Sequence, residues 1–166
     1  MSLFFFNCLH RIDSVYFSLE EIMKKKMVIK FKKLTNRAYI PRFAYPDDAC
    51  FDLFSPVETV IYPQKSVIID LEIASEFPSG FEVVLRPRSG LGIKKGIMIH
   101  IGTIDSGYRG NWMVRLFNFG DHPYTIQAGD RIAQGALREI PQVEIIESDE
   151  ISSTSRGTNG LGSTGR

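Results

Sequence analysis

From Met27 onward the chain runs in short stretches that alternate apolar with polar residues or are rich in β-branched ones. "VIKFKK" (28–33) alternates apolar and basic residues, and "SVIIDLEIA" (66–74), "FEVVLRP" (81–87), "IMIHIG" (97–102), "WMVRLFNFG" (112–120) and "RIAQGALREI" (131–140) follow. Period two puts successive side chains on opposite faces of a strand, so each run reads as a strand with one face turned to a core. Between the runs lie the turn clusters "YPDD", "FPSG", "RSG", "FGDHP" and "QAGD". Close spacing of such strands predicts an all-β domain over 27–146, an antiparallel sandwich, jelly roll or barrel. No stretch of this body has the period of a long helix, although "SGLGIKKG" (89–96) has room for one turn. The segment "IESDEISSTS" (146–155) carries few apolar residues, so 147–155 reads as a flexible linker to a tail at 156–166.

The first 26 residues break the pattern. "MSLFFFNCLHRIDSVYFSLEEIMKKK" has an apolar patch at Leu3 to Phe6, with no basic residue before it and no small-residue cleavage site, which argues against a secretory signal. Residues 1–26 read as a leader ahead of a true start at Met27, or as an accessory helix opened by Ser18-x-x-Glu21. The 166 residues suffice for one domain with a proper core. A net charge of +1, with no basic run beyond Lys24 to Lys26, excludes a nucleic-acid partner as the working expectation. Cys8 and Cys50 form neither a disulfide framework nor a zinc site, and no apolar run nears the ~20 residues of a membrane span. No membrane partner and a cytoplasmic location are expected.

Charge in the middle of apolar strands calls for a reason. Asp52 stands inside "ACFDLFS"; Arg86, Arg88 and Ser89 surround Pro87; Asp105, Tyr108 and Arg109 sit among glycines in "GTIDSGYRG"; Asp130, Arg131 and Gln134 open a strand in "GDRIAQ". Singly, each is an ordinary turn or edge residue. Asp105 stands out, because Gly102, Gly107 and Gly110 would let backbone approach a ligand. The tail "RGTNGLGSTGR" offers backbone N–H groups, hydroxyls and arginines, which suit a polyphosphate. Its Gly157 and Gly162 match the GxxxxG spacing of a nucleotide P-loop only by accident, since the lysine, the preceding strand and the following helix are missing. Together these are the parts for binding a polyphosphate through a divalent metal.

In this order and spacing the segments "ACFDLFS" (49–55), "PRSGLG" (87–92), "GTIDSGYRG" (102–110), "GDRIAQ" (129–134) and "RGTNGLGSTG" (156–165) resemble the five motifs of the trimeric deoxyuridine triphosphatases, the dUTPases. The stretch starting at Met27 is similar to that family's N-terminus. The resemblance implies a jelly-roll-like (β-clip) subunit, a homotrimer, and active sites assembled from three chains. One chain supplies the first, second and fourth motifs, another the third, and the last a C-terminal arm that closes over the triphosphate. The implied reaction is hydrolysis of dUTP to dUMP and pyrophosphate with Mg²⁺, which keeps uracil out of DNA and supplies dUMP for thymidylate.

Carried over residue by residue, the resemblance makes Asp105 the carboxylate that orients the attacking water. Tyr108 packs beneath the deoxyribose and rejects a 2′-hydroxyl. Arg88, Ser89, Gly90 and Gln134 face the phosphates, with Arg156, Gly162, Ser163 and Thr164 of the arm over them. Asp52 holds Mg²⁺ through a water. The hairpin around Ile99, Ile101, Gly102, Thr103 and Ile104 receives uracil. Each donor to the transition state is worth about 3–4 kcal/mol.

Three positions depart from the family pattern. Leu161 stands where an aromatic ring usually stacks on uracil, Ile99 where asparagine is common, and Gly107 where a second acid is common. Two rival readings share the fold. A dCTP deaminase needs a glutamate three residues before Asn118, where this chain has Arg115. A non-catalytic, regulatory nucleotide-binding trimer would bind dUTP without turnover, and the intact Asp52, Ser89, Asp105 and Arg156 argue against it.

Overall fold

A computed structural model describes residues 27–160 and Ser163; expectations for the leader, Leu161, Gly162 and Thr164 lie outside the described residues. Among the described residues eleven strands and one short helix follow in order: β1 (Lys30–Lys33), β2 (Phe51–Phe54), β3 (Thr59–Ile61), β4 (Ser66–Asp70), β5 (Ile73–Glu76), β6 (Phe81–Arg86), α1 (Ser89–Lys95), β7 (Ile97–Ile99), β8 (Thr103–Asp105), β9 (Met113–Asn118), β10 (Tyr124–Ile126) and β11 (Arg131–Glu139). Every pairing is antiparallel. The sheets are β2-β11-β6-β8, β4-β9-β7, and the two-stranded pairs β1-β5 and β10-β3.

The run "SVIIDLEIA" is two strands in two sheets: β4 pairs with β9 and β5 with β1. The break is at Glu72, whose φ is +56° and whose N–H is accepted by the Asp70 carboxylate at 2.7 Å. The buried Glu72 carboxylate is gripped by the Thr35 hydroxyl and the Arg37 guanidinium, and Leu34 N–H donates to the Glu72 carbonyl at 2.8 Å. This clasp anchors the loop that runs from β1 towards Arg42.

Alternation along β2, β6, β8 and β11 gives their sheet two unlike faces. Leu53, Val83, Leu85, Ile104 and Ile132 enter the core, where Trp112, Leu116 and Ile126 are fully buried. Gly135 of β11 stands between Phe51 and Leu85, and a Cβ there would collide with the Phe51 ring and approach Val83 Cγ1 at 3.1 Å. Gly135→Ala is therefore expected to destabilise the fold by about 1–3 kcal/mol, an overpacking cost readable in a urea midpoint. An unchanged midpoint would mean that the Phe51 ring moves aside freely.

Candidate active site

The second face of the four-stranded sheet is polar, and register explains how. Directly opposed residues of antiparallel strands share a face. Arg42 bridges Asp52, Asp52 pairs with Gln134, and Gln134 pairs with Arg86, giving one polar row across four neighbouring segments. Asp52 is only 3 % exposed, yet it is ionically paired. Its Oδ1 accepts from Arg88 Nε at 3.1 Å and from Gln134 Nε2 at 3.4 Å, and its Oδ2 accepts from an Arg131 guanidinium N–H at 3.2 Å. Arg88 also donates to the Arg131 carbonyl at 3.0 Å, tying the end of β6 to the start of β11. A lone carboxylate this deep would be expensive; two guanidinium partners make it tolerable.

Arg88 has extended backbone and caps α1, its carbonyl accepting the Leu91 and Gly92 N–H groups at 3.1 and 2.9 Å. Ser89 and Gly90 are exposed in the first turn, beside the cluster. The helix has seven residues rather than the single turn expected, and ends on Gly96 with φ +66° after Lys94 and Lys95. Thus Asp52, Arg88, Ser89, Gly90 and Gln134, drawn from three distant segments, come together. Arg131 joins them, a residue with no role assigned on sequence grounds.

A second group is built on β7, β8 and the loop between them; in place of the expected hairpin, β7 pairs with β9 and β8 with β6, in different sheets. Ile99 is buried, Ile101 at the tip is 65 % exposed, Ile104 is buried and Thr103 is exposed. His100 N–H donates to the Arg115 carbonyl at 2.9 Å and Leu85 N–H to the Gly102 carbonyl at 2.8 Å, which fixes this loop to β9 and β6. Asp105 is the last residue of β8, exposed, and opposite Glu82. The next turn is closed by Tyr108 N–H on the Asp105 carbonyl at 3.0 Å. Tyr108 folds back so that its hydroxyl donates to the Asn111 carbonyl at 3.0 Å, and its ring occupies the space of any Cβ at position 110. Gly110 is required there by the tyrosine, whereas a Cβ on Gly107 would meet nothing.

The two groups share a face but not a site. Asp105 is four residues along β6 from the polar row, and β8 lies three strands from β2. At about 3.3 Å per residue and about 4.8 Å per strand, Asp105 and Asp52 of one chain are roughly 20 Å apart. The tail is a third group. Residues 140–160 are exposed, and among the described residues Arg156 donates only within its own turn, to the Asn159 carbonyl at 3.0 Å. Ser163 is exposed as well.

Comparison with known proteins gives this arrangement a family. The dUTPase family model matches residues 36–165. The deoxyuridine 5′-triphosphate nucleotidohydrolase of Nautilia profundicola is 43 % identical over 142 residues, covering 84 % of this chain and all of that protein. The enzyme of the same name from Helicobacter hepaticus is 41 % identical over 145 residues, covering 86 % of this chain and 92 % of that one. Among solved structures, a mutant dUTPase of Staphylococcus bacteriophage 80alpha with dUpNHpp superposes with a TM-score of 0.77 at 28 % identity, covering 84 % of this chain and 99 % of the other. A mutant dUTPase of S. aureus phage phi11, described with a coordinated structural Mg(II) ion, gives a TM-score of 0.71 at 26 % identity, over 76 % and 99 % of the chains.

Proposed function

This chain belongs to the dUTPase family, and from that premise we infer that it hydrolyses dUTP to dUMP and pyrophosphate. The carrying observation is the joined cluster of Asp52, Arg88 and Gln134, one residue from each of three separate sequence segments that resemble family motifs. Nothing in the packing of a core needs an aspartate at that depth; here it holds and orients the arginine and glutamine donors that suit a polyanion.

Water is a weak nucleophile, so the reaction needs a carboxylate to orient it and take its proton. Asp105 has that role. Its exposure at the end of β8 leaves its oxygens open to a water. The water oxygen bonds to the α-phosphorus, its proton passes to Asp105, and the bond to the bridging oxygen breaks with its electrons going to pyrophosphate. Arg88, Ser89 and Gln134 neutralise and orient the phosphates, with Arg156, Gly162, Ser163 and Thr164 closing from the arm. Tyr108 lies under the sugar, where a 2′-hydroxyl meets its ring. The segment from Ile99 to Ile104 takes uracil, its backbone reading the base edge and its anchoring to β9 and β6 limiting room for a 5-methyl group.

The separation of roughly 20 Å between Asp105 and Asp52 within one chain, estimated from strand spacing, is too long for one chain's water-orienting carboxylate to serve its own phosphate cluster. This supports a site shared between chains, as in the homotrimer of three-chain sites that the family resemblance implies. The residues also suit Mg²⁺ held from a distance. Among the described residues no group of three His, Cys, Asp or Glu side chains is placed to hold a metal. Asp52 already accepts arginine N–H groups on both oxygens, which leaves it able to accept from a metal-bound water rather than to coordinate the ion itself. Mg²⁺ bound to the substrate phosphates supplies further neutralisation of their charge.

The test is product analysis for the full-length protein with dUTP and Mg²⁺, with dCTP, dTTP and UTP as separate substrates. Release of dUMP and pyrophosphate from dUTP alone is expected. Loss of ammonia from dCTP, or tight dUTP binding without cleavage, would overturn the reading in favour of a deaminase or a regulatory trimer.

A further inference from the structure

We propose that Arg42, which lies outside all five motif-like segments, binds the pyrophosphate half of the substrate and then the departing pyrophosphate; the proposal rests on the dUTP-hydrolase reading and adds a residue to that site. Arg42 belongs to a loop rather than to a strand, but two backbone hydrogen bonds dock it on β2. Asp52 N–H donates to the Arg42 carbonyl at 2.9 Å, and Arg42 N–H donates to the Asp52 carbonyl at 3.4 Å. This bridge sets the Arg42 side chain beside that of Asp52, on the polar face, as the outermost member of the row that ends in Gln134 and Arg86.

The guanidinium does not swing freely. Its carbon lies 5.2 Å from the centroid of the Phe54 ring, and Phe54 is itself buried, at 6 % exposure. Phe54 pairs in register with Arg131, so the two arginines flank the same ring position. A cleft of about 630 Å³ opens between them, with Asp52 in its wall beside Asp130. Among the described residues the Arg42 guanidinium has no hydrogen-bonded acceptor, whereas those of Arg88 and Arg131 are held by Asp52. Asp130 is turned back, its Oδ2 accepting Gln127 N–H at 2.8 Å.

The cleft thus presents a pre-placed, planar fork of donors beside a cluster in which three arginines outnumber two carboxylates. A condensed phosphate, with several anionic oxygens, matches such a fork bidentately; a base or a sugar does not. A lysine at this position would keep the charge but lose both the stacking and the fork.

The experiment measures inorganic pyrophosphate and dUMP separately, as product inhibitors of dUTP hydrolysis and by calorimetric binding to the full-length protein. Arg42→Gln is expected to weaken pyrophosphate about tenfold, the low end for a hydrogen bond between charged partners, with dUMP unchanged. Arg42→Lys should fall between the two. Equal weakening of both products would overturn the proposal and make Arg42 a packing residue through Phe54; no weakening of pyrophosphate would overturn it outright. If the parent protein binds pyrophosphate but never releases it from dUTP, the hydrolase reading fails, and the binding ratio still decides the role of Arg42.

Discussion

Asp105→Asn is expected to lower kcat for dUTP about a thousandfold while leaving the fold intact, a loss within the range for removing a positioned general base. Asparagine keeps the shape and can still orient a water by hydrogen bonding, but it cannot accept the proton. The carboxylate is exposed at the end of β8, so no packing depends on its charge. Its directly opposed neighbour is Glu82, a like-charged pair, and removing one of the two charges should leave the melting temperature unchanged or slightly raised. Rates of dUMP release and a thermal melt on the same preparation separate the two effects. Residual activity within tenfold of the parent would remove Asp105 from its assigned role. A fall in melting temperature to match would show a scaffold residue instead.

Much of the fold was legible because the longer strands obey period two. Five of the runs read from the sequence correspond to single strands, β1, β6, β7, β9 and β11, and "ACFDLFS" carries β2. The failures have physical causes. β3, β8 and β10, of three residues each, are too short to show a period, whereas the equally short β7 lies within the longer apolar run 97–102. Asp105 therefore read as a turn residue although it closes β8. The break between β4 and β5 carries no glycine or asparagine; it is made by Glu72 in a left-handed conformation held by distant Thr35 and Arg37. Gly90 and Gly92 hid the length of α1 because glycine disfavours helix, yet a seven-residue segment needs only its cap and its terminal Gly96.

The site divides in the same way. Which residues carry charge among apolar neighbours is a local property, so Asp52, Arg88, Asp105 and Gln134 stood out in the sequence. Which of them touch is decided by pairing across as many as 82 positions, as between Asp52 and Gln134. Arg131 was visible but had no partner until the register placed it on Asp52. Arg42 was invisible, because its meaning comes from a two-bond bridge to β2 and from the Phe54 ring beneath it.

The proposed division of the site among chains makes the strongest prediction. Arg156→Ala alone is expected to lower kcat about a hundredfold, as for loss of one preorganised donor to a developing anion. Asp105→Asn alone should be nearly inactive. Neither chain has a whole set, yet co-expressed chains, or chains unfolded and refolded together, should regain activity. In a cyclic trimer where the Asp105 segment and the arm at each site come from different chains, every mixed trimer has one site with both an intact Asp105 and an intact Arg156. Three quarters of trimers from an equal mixture are mixed, so about one quarter of the parental activity should return. If that segment and the arm came from one chain, no combination of these two variants would restore a site, and the mixture would show only the average of its parts. That outcome would leave Asp105 and Arg156 in their roles but overturn the three-chain site. The exposed run from Ile140 to Gly160, with Ile145 at 93 % and Ile151 at 92 % exposure, leaves the arm clear of its own core.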